Sequence, residues 1–297
     1  MTSLLPAKIA RALALTVVLA PQLRAMTDAE AAAGREIARR GADAVVGVEM
    51  VVTVKMSMGD RALPPRENRV DVNGTTLNAR GLTVTSLAAI DPRVQFEAMR
   101  GMLGPQAARM EIGETDYKEV KLRLADGSEV PARVVLKDAD TDLAFIAPEG
   151  ANSAAGSFSP VKLAEPGNAA MLDTCFLVTR APKGLRWVPI VRPSIVMGIV
   201  DKPRRLLLLT DQQIGSPAYD LKGRVVGVCL QHTTSGRPAG LVCMPIEDIA
   251  EIAKQAEVEA AKPPPPAAEA TTTPAAPADQ PAVPGTPPPA PKEPKGN

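Results

Sequence analysis

Thr210-Asp211-Gln212-Gln213-Ile214-Gly215-Ser216-Pro217-Ala218-Tyr219-Asp220-Leu221-Lys222-Gly223-Arg224-Val225-Val226-Gly227-Val228 decides how the rest of the chain is read. Gly215-Ser216-Pro217 predicts a tight turn and Asp220 to Gly223 a second one. Val225 to Val228 is an apolar, β-branched run that reads as a strand. Working outward, the same layout recurs. Thr174–Val178, Val188–Val191, Ser194–Val200, Leu206–Thr210 and Gly240–Pro245 are short strand candidates separated by turn signals, preceded by the VKLAEP segment from Val161. Even spacing of short strands predicts an all-β barrel or sandwich.

The first half repeats the pattern. Ala44 onward (AVVGVEMVVTVKM) predicts a strand, Gly59–Arg69 a polar turn with two prolines, and Val70–Asn78 a second strand. Within Asn78–Asp91, Gly81 reads as a turn followed by a buried strand and one helical turn. The segment from Pro92 to Glu119, carrying Met99, Met102, Leu103 and Met110, is long for a hairpin loop and could hold a short amphipathic helix. Helical Met spacing is more often core than a binding face. Val120–Pro148 reads as two strands joined at Ala125-Asp126-Gly127-Ser128, then a third opened by Asp142. Gly150–Ser159 is a small-residue link. Two helices flank the strands: Asp28–Arg40, capped by Thr27 or Asp28 and stopped at Gly41, and a terminal one from Ile246 to about Ala260.

With aromatics at 2% and a hydrophobic content of 45%, the core must come from Val, Ile, Leu, Ala and Met, which suits strands. A formal charge of +1 gives no case for nucleic acid. Residues 1–25 have the layout of a secretory signal peptide: Lys8 and Arg11, an uncharged run from Ala12 to Ala20, Pro21, and a small residue at Ala25. That run is roughly half of the ~20 residues a membrane span needs. Its removal takes away three cations and no acid, leaving −2, with no transmembrane segment expected afterwards and a periplasmic or secreted location. From Lys262 the composition turns to Pro, Ala and Thr; thirteen of the thirty prolines lie there, so residues 261–297 are expected to be a disordered tail that builds no core. One histidine and scattered cysteines make no metal-ligand set, and no glycine-rich loop suggests a phosphate cofactor. Export permits a disulfide. Cys229 and Cys243 would face each other if QHTTSGRPAG is a hairpin connection, and at that point bridge and free thiols both stay open.

The opening stretch resembles the nucleophile loop of trypsin-like proteases of the HtrA type, written G-[ND]-S-G-G-P followed by an apolar pair, a glycine turn and a V-[IV]-G-[IV] strand. Two further stretches agree. Gly81-Leu82-Thr83-Val84-Thr85-Ser86-Leu87-Ala88 is similar to G-[LY]-[IV]-[LV]-T-x-x-H, and Thr141-Asp142-Leu143-Ala144 to the T-D-L-A that carries the triad aspartate. The resemblance covers roughly residues 44–250. It implies the chymotrypsin fold, all-β with two six-stranded-type β-barrels (about 44–150 and 160–250, within a domain over 26–260) and short terminal helices; a PDZ domain, which many HtrA-type proteases carry, is not expected from these residues.

The resemblance also implies which chemistry is missing. Laying Gly215-Ser216-Pro217 on G-G-P puts Ile214 at the serine position; the histidine position falls on Ala88; only Asp142 keeps its identity. The oxyanion-hole amides would be those of Gln212 and Ile214, and the strand Val226, Gly227, Val228, Cys229, Leu230 would pair with an extended peptide. The expectation is an exported pseudoprotease that binds a peptide or protein partner, with oligomeric state open. The alternatives are an active endopeptidase with a displaced triad, for which the one histidine, His232, would have to reach Ser216, and a structural envelope module presented on its Pro-rich tail.

Overall fold

A computed structural model of the chain describes residues 26–100, 110–150, 158–234 and 237–263. The signal-peptide and tail expectations fall on residues 1–25 and 264–297, outside these. Helix α1 (Asp28–Gly41) starts at a capping box: the Thr27 hydroxyl accepts the Glu30 N–H while the Glu30 carboxylate accepts the Thr27 N–H, satisfying two otherwise orphaned amides. Twelve strands follow, and they close into two antiparallel barrels.

The first barrel comprises β1 (Val45–Met58), β2 (Arg61–Thr76), β3 (Thr83–Ser86), β4 (Met110–Arg123), β5 (Glu129–Asp138) and β6 (Leu143–Pro148), in the order β1-β2-β3-β6-β5-β4. The second comprises β7 (Thr174–Arg180), β8 (Pro189–Val200), β9 (Leu206–Leu209), β10 (Pro217–Tyr219), β11 (Val225–Thr234) and β12 (Arg237–Pro245), ordered β10-β11-β12-β9-β8-β7. This is the chymotrypsin-like architecture. Helix α2 (Leu87–Ile90) and α3 (Pro92–Arg100) follow β3, and α4 (Ile246–Ala261) follows β12.

Burial divides into three clusters. One fills the first barrel around Val48, Val52, Leu122 and Ile146. Another fills the second around Leu177, Val196, Leu207 and Cys229. The third lies between the barrels, where Leu143 and Phe145 meet Phe176, Val178 and Leu230, and it takes in Ile37 of α1 and Ile249 and Ala253 of α4. The two helices therefore seal the seam between barrels.

Three strand expectations need correction. Arg61–Arg69 is not a turn: β1 and β2 remain paired out to Met58↔Arg61, and the register skips between Val54↔Arg66 and Met56↔Leu63, so Pro64 and Pro65 sit at a bulge where missing N–H donors cost no ladder bond. Strand β4 starts at Met110 rather than near Val120, because the elongated β1 offers it a partner down to Met58↔Met110. The VKLAEP segment is not a strand; Val161 donates its N–H to Thr76 O (3.0 Å) as a single bridge. The helix foreseen after Pro92 is α3.

Candidate functional site

The turn at Gly215 is fixed by backbone geometry. Gly215 has φ +73° and a Cβ there would lie 1.8 Å from the Asn73 carbonyl oxygen, so no side chain is accommodated. Its N–H donates to Cys229 O (2.8 Å), Cys229 N–H donates back to Ser216 O (3.0 Å), and Ser216 N–H donates to Gln213 O (3.1 Å). From the first barrel, the Thr75 hydroxyl donates to Gly215 O and the Thr85 hydroxyl to Asn73 O, both at 2.8 Å. The loop thus bridges β11 and β2, and Ile214 emerges from it half-buried. Ile214 and Gln213 line a cavity of about 450 Å³ whose walls include Val72, Asn73, Arg180 and Trp187.

The second corner lies at the end of β3. Asp142 is buried, with φ +58°, and its Oδ1 accepts the N–H of Ala88 at 2.7 Å. Its Oδ2 accepts a hydrogen bond from the Ser86 hydroxyl, and the Asp142 carbonyl accepts the Leu87 N–H (2.9 Å). Asp142 therefore caps the single turn of α2 from the partner strand β6, taking amides that a helix start leaves orphaned. The Ser86 oxygen accepts the Gln231 N–H (3.3 Å), which carries the link onto β11 of the second barrel. Burial pushes the Asp142 carboxyl up to about 6, against hydrogen bonds from Ser86, Ala88 and Gln231 that hold it down.

Ala88 and Asp142 are therefore in direct contact, and the Gly215 turn is tied to the same corner through Thr85 and through Cys229, two residues before Gln231. At these positions the side chains are a methyl group, a carboxylate already holding two donors, and an isobutyl-sized hydrocarbon. Ser86 is fully buried, its proton given to Asp142 and a lone pair to Gln231, so it has no approach to a substrate. Ser216 is also fully buried and its hydroxyl has no hydrogen-bond partner, His232 included; His232 lies on β11 opposite Gly240 of β12.

The strand Val226–Leu230 does not offer a free edge. On one side Val228, Gly227 and Val225 pair with β10, and Cys229 with the Gly215-Ser216 backbone; on the other, Gly227 to Leu230 pair with β12. Barrel closure consumes both ladders, which a strand pattern cannot reveal. Cys229 and Cys243 are direct register partners, but both, with Cys175, are unbridged buried thiols. Burial pushes Cys175 up to about 12, and Cys243 is raised by its hydrogen bond with Cys229 and by burial. Among the described residues no cluster of His, Cys, Asp or Glu is placed to hold a metal, and no helix is long and apolar enough to cross a membrane.

Sequence reading missed Ser86 and Gln231, although a serine immediately before Leu87-Ala88-Ala89-Ile90 is a helix-start signal. Trp187, the single tryptophan, was also passed over; it and Arg186 both take positive φ (54° and 61°), and nothing local in the sequence marks that.

No curated protein matches the chain. A solved structure described as the HtrA-type protease AlgW with tripeptide is similar in fold, at 15% identity and a TM-score of 0.47, over 75% of this chain and 62% of that one. The chain thus spans under two thirds of that protein. The profile of the trypsin-like peptidase domain matches residues 72–228, from the middle of β2 through the Gly215 turn into β11, which is more than half the sequence, and the chain belongs to that family.

Proposed function

We propose that this is an exported, catalytically inactive trypsin-like protein of the HtrA type that binds a peptide or protein partner in the cleft between its barrels. One observation carries the reading. The Asp142 carboxylate, the acid of the triad by resemblance, is engaged by Ser86 and the Ala88 amide, while the base and nucleophile positions hold Ala88 and Ile214. Loss of nucleophile or base costs a serine protease on the order of 10⁶ in turnover, leaving ~10³ to 10⁴ over water. That residue of rate does not serve peptide hydrolysis.

Binding needs neither group. The cavity beside Ile214 is walled by Val72, Trp187 and Ile190, with Asp71, Asn73, Arg180 and Arg192 among them, apolar bulk interleaved with polar and charged groups that can orient a side chain inserted from an extended segment. A fluorophosphonate probe applied to the full chain, with a peptide library read by Trp187 emission, tests both halves. No covalent label and a saturable emission change are expected. Labelling at any serine establishes the active endopeptidase instead, and an inert cleft leaves the structural envelope module.

A further inference from the structure

The outer face of the second barrel, away from any residue used above, carries exposed hydrocarbon in one continuous strip. Leu172 is 71% exposed, Met171 59%, Met197 57% and Leu208 36%. Strand pairing places them side by side: Leu172 N–H donates to Val196 O (2.8 Å) and Val196 N–H to Asp173 O (3.0 Å), while across β8 Gly198 is the register partner of Leu208. Absence of a side chain at Gly198 lets the Leu208 side chain lie over it, 3.4 Å from where a Cβ would be. Leu172 holds this position at φ +71°, a left-handed conformation that non-glycine residues rarely adopt.

The strip is bordered by cations. The β8–β9 turn carries Lys202, Arg204 and Arg205, none of which forms an ion pair among the described residues, and Arg205 reaches back to Ala169 O (3.0 Å), which draws the basic turn against the Met171-Leu172 segment. The acids nearby are Asp201 and Asp173, whose carboxylate accepts the Ala170 N–H (2.8 Å), and Glu30 in the first turn of α1, which accepts from Thr174 (3.3 Å). That contact also brings the start of α1, with Met26 half-exposed, to the same end of the barrel.

The geometry points to a membrane-docking face: Met171, Leu172, Met197 and Leu208 enter the interface of an anionic bilayer while Lys202 and Arg204 meet its headgroups. Exposed hydrocarbon beside unpaired cations matches an anionic lipid surface on both counts. A symmetric pairing of two copies through this strip would bring two basic rims together, which disfavours it. This face is independent of the inter-barrel cleft, so its failure leaves the binding reading untouched.

The test is vesicle co-sedimentation of the full chain, using phosphatidylcholine alone and with about 30% phosphatidylglycerol at about 0.1 M salt. Binding is expected only with the anionic lipid. The pair Leu172→Ser with Met197→Ser, and the pair Lys202→Glu with Arg204→Glu, should each weaken it about tenfold or more. Leu172→Gly should weaken binding while raising the melting temperature, separating lost contact from lost fold. Equal binding to both vesicle types, or no change in either pair, overturns the proposal. So does a self-association that the Leu172→Ser, Met197→Ser pair abolishes without affecting vesicles.

Discussion

The two barrels hold their halves of the candidate site in different ways. At the Asp142 corner of the first, the carboxylate remains, and two donors from its own barrel occupy it. At the Gly215 turn of the second, no polar side chain has taken over. The turn is held by backbone bonds to Cys229, by the Thr75 hydroxyl and by a glycine whose Cβ, if present, would strike the Asn73 carbonyl. The contrast teaches that the backbone path of this turn is a packing requirement of the two-barrel fold, whatever side chain stands at position 214. A buried acid, by comparison, persists only where donors are found for it.

The sharpest way to break this comparison is at Gly215. Gly215→Ala puts a methyl group onto the Asn73 carbonyl and should cost more than about 4 kcal/mol or prevent folding, read by urea denaturation. An alanine tolerated there would mean the turn is not a packing requirement. Restoring chemistry comes next. Ala88→His with Ile214→Ser should raise fluorophosphonate labelling at position 214 by about 10² over Ile214→Ser alone, and adding Ser86→Ala should raise it further by freeing Asp142. No gain in the triple variant would show that the loop has lost the geometry as well as the serine.

Asp142 itself gives a smaller effect with a definite sign in pH. Its carboxyl is raised by burial from 3.8 to about 6, so the folded state holds the proton more tightly than the unfolded chain. The stability from this group is full below about pH 4 and is lost as pH rises through 6, by up to about 3 kcal/mol. Asp142→Asn should remove that dependence, seen as stabilities of the two proteins that agree below about pH 4, diverge between about pH 4 and 6, and stay apart above that in favour of the variant. Asp142→Ala, which strands the Ser86 hydroxyl and Ala88 amide, should cost about 2 kcal/mol. Smallest is Thr75→Val, which removes one hydroxyl bond to Gly215 O and should cost about 1 kcal/mol, with faster amide exchange at Gly215 as its local signature.

Much of this was legible because it is local. A glycine turn before a β-branched strand, an aspartate opening Leu143-Ala144-Phe145-Ile146, and a capped helix at Thr27 are patterns within a few residues, and each is found in place. The reach of β1 and β2 to Met58 and Arg61 was not legible, since a polar, proline-bearing stretch becomes strand only when a partner supplies the ladder and a bulge absorbs the prolines. Nor were the occupied edges of Val226–Leu230, because whether a strand is central depends on which strands return to it from far along the chain.

The residue types at positions 88, 142 and 214 were settled by the sequence alone: hydrocarbon, acid, hydrocarbon, whatever the fold around them. Only the tertiary structure decided what the acid does. Ser86, fifty-six residues from Asp142, and Gln231, on the other barrel, meet at that carboxylate because barrel closure brings β3, β6 and β11 together, and burial there demands that every donor and acceptor find a partner.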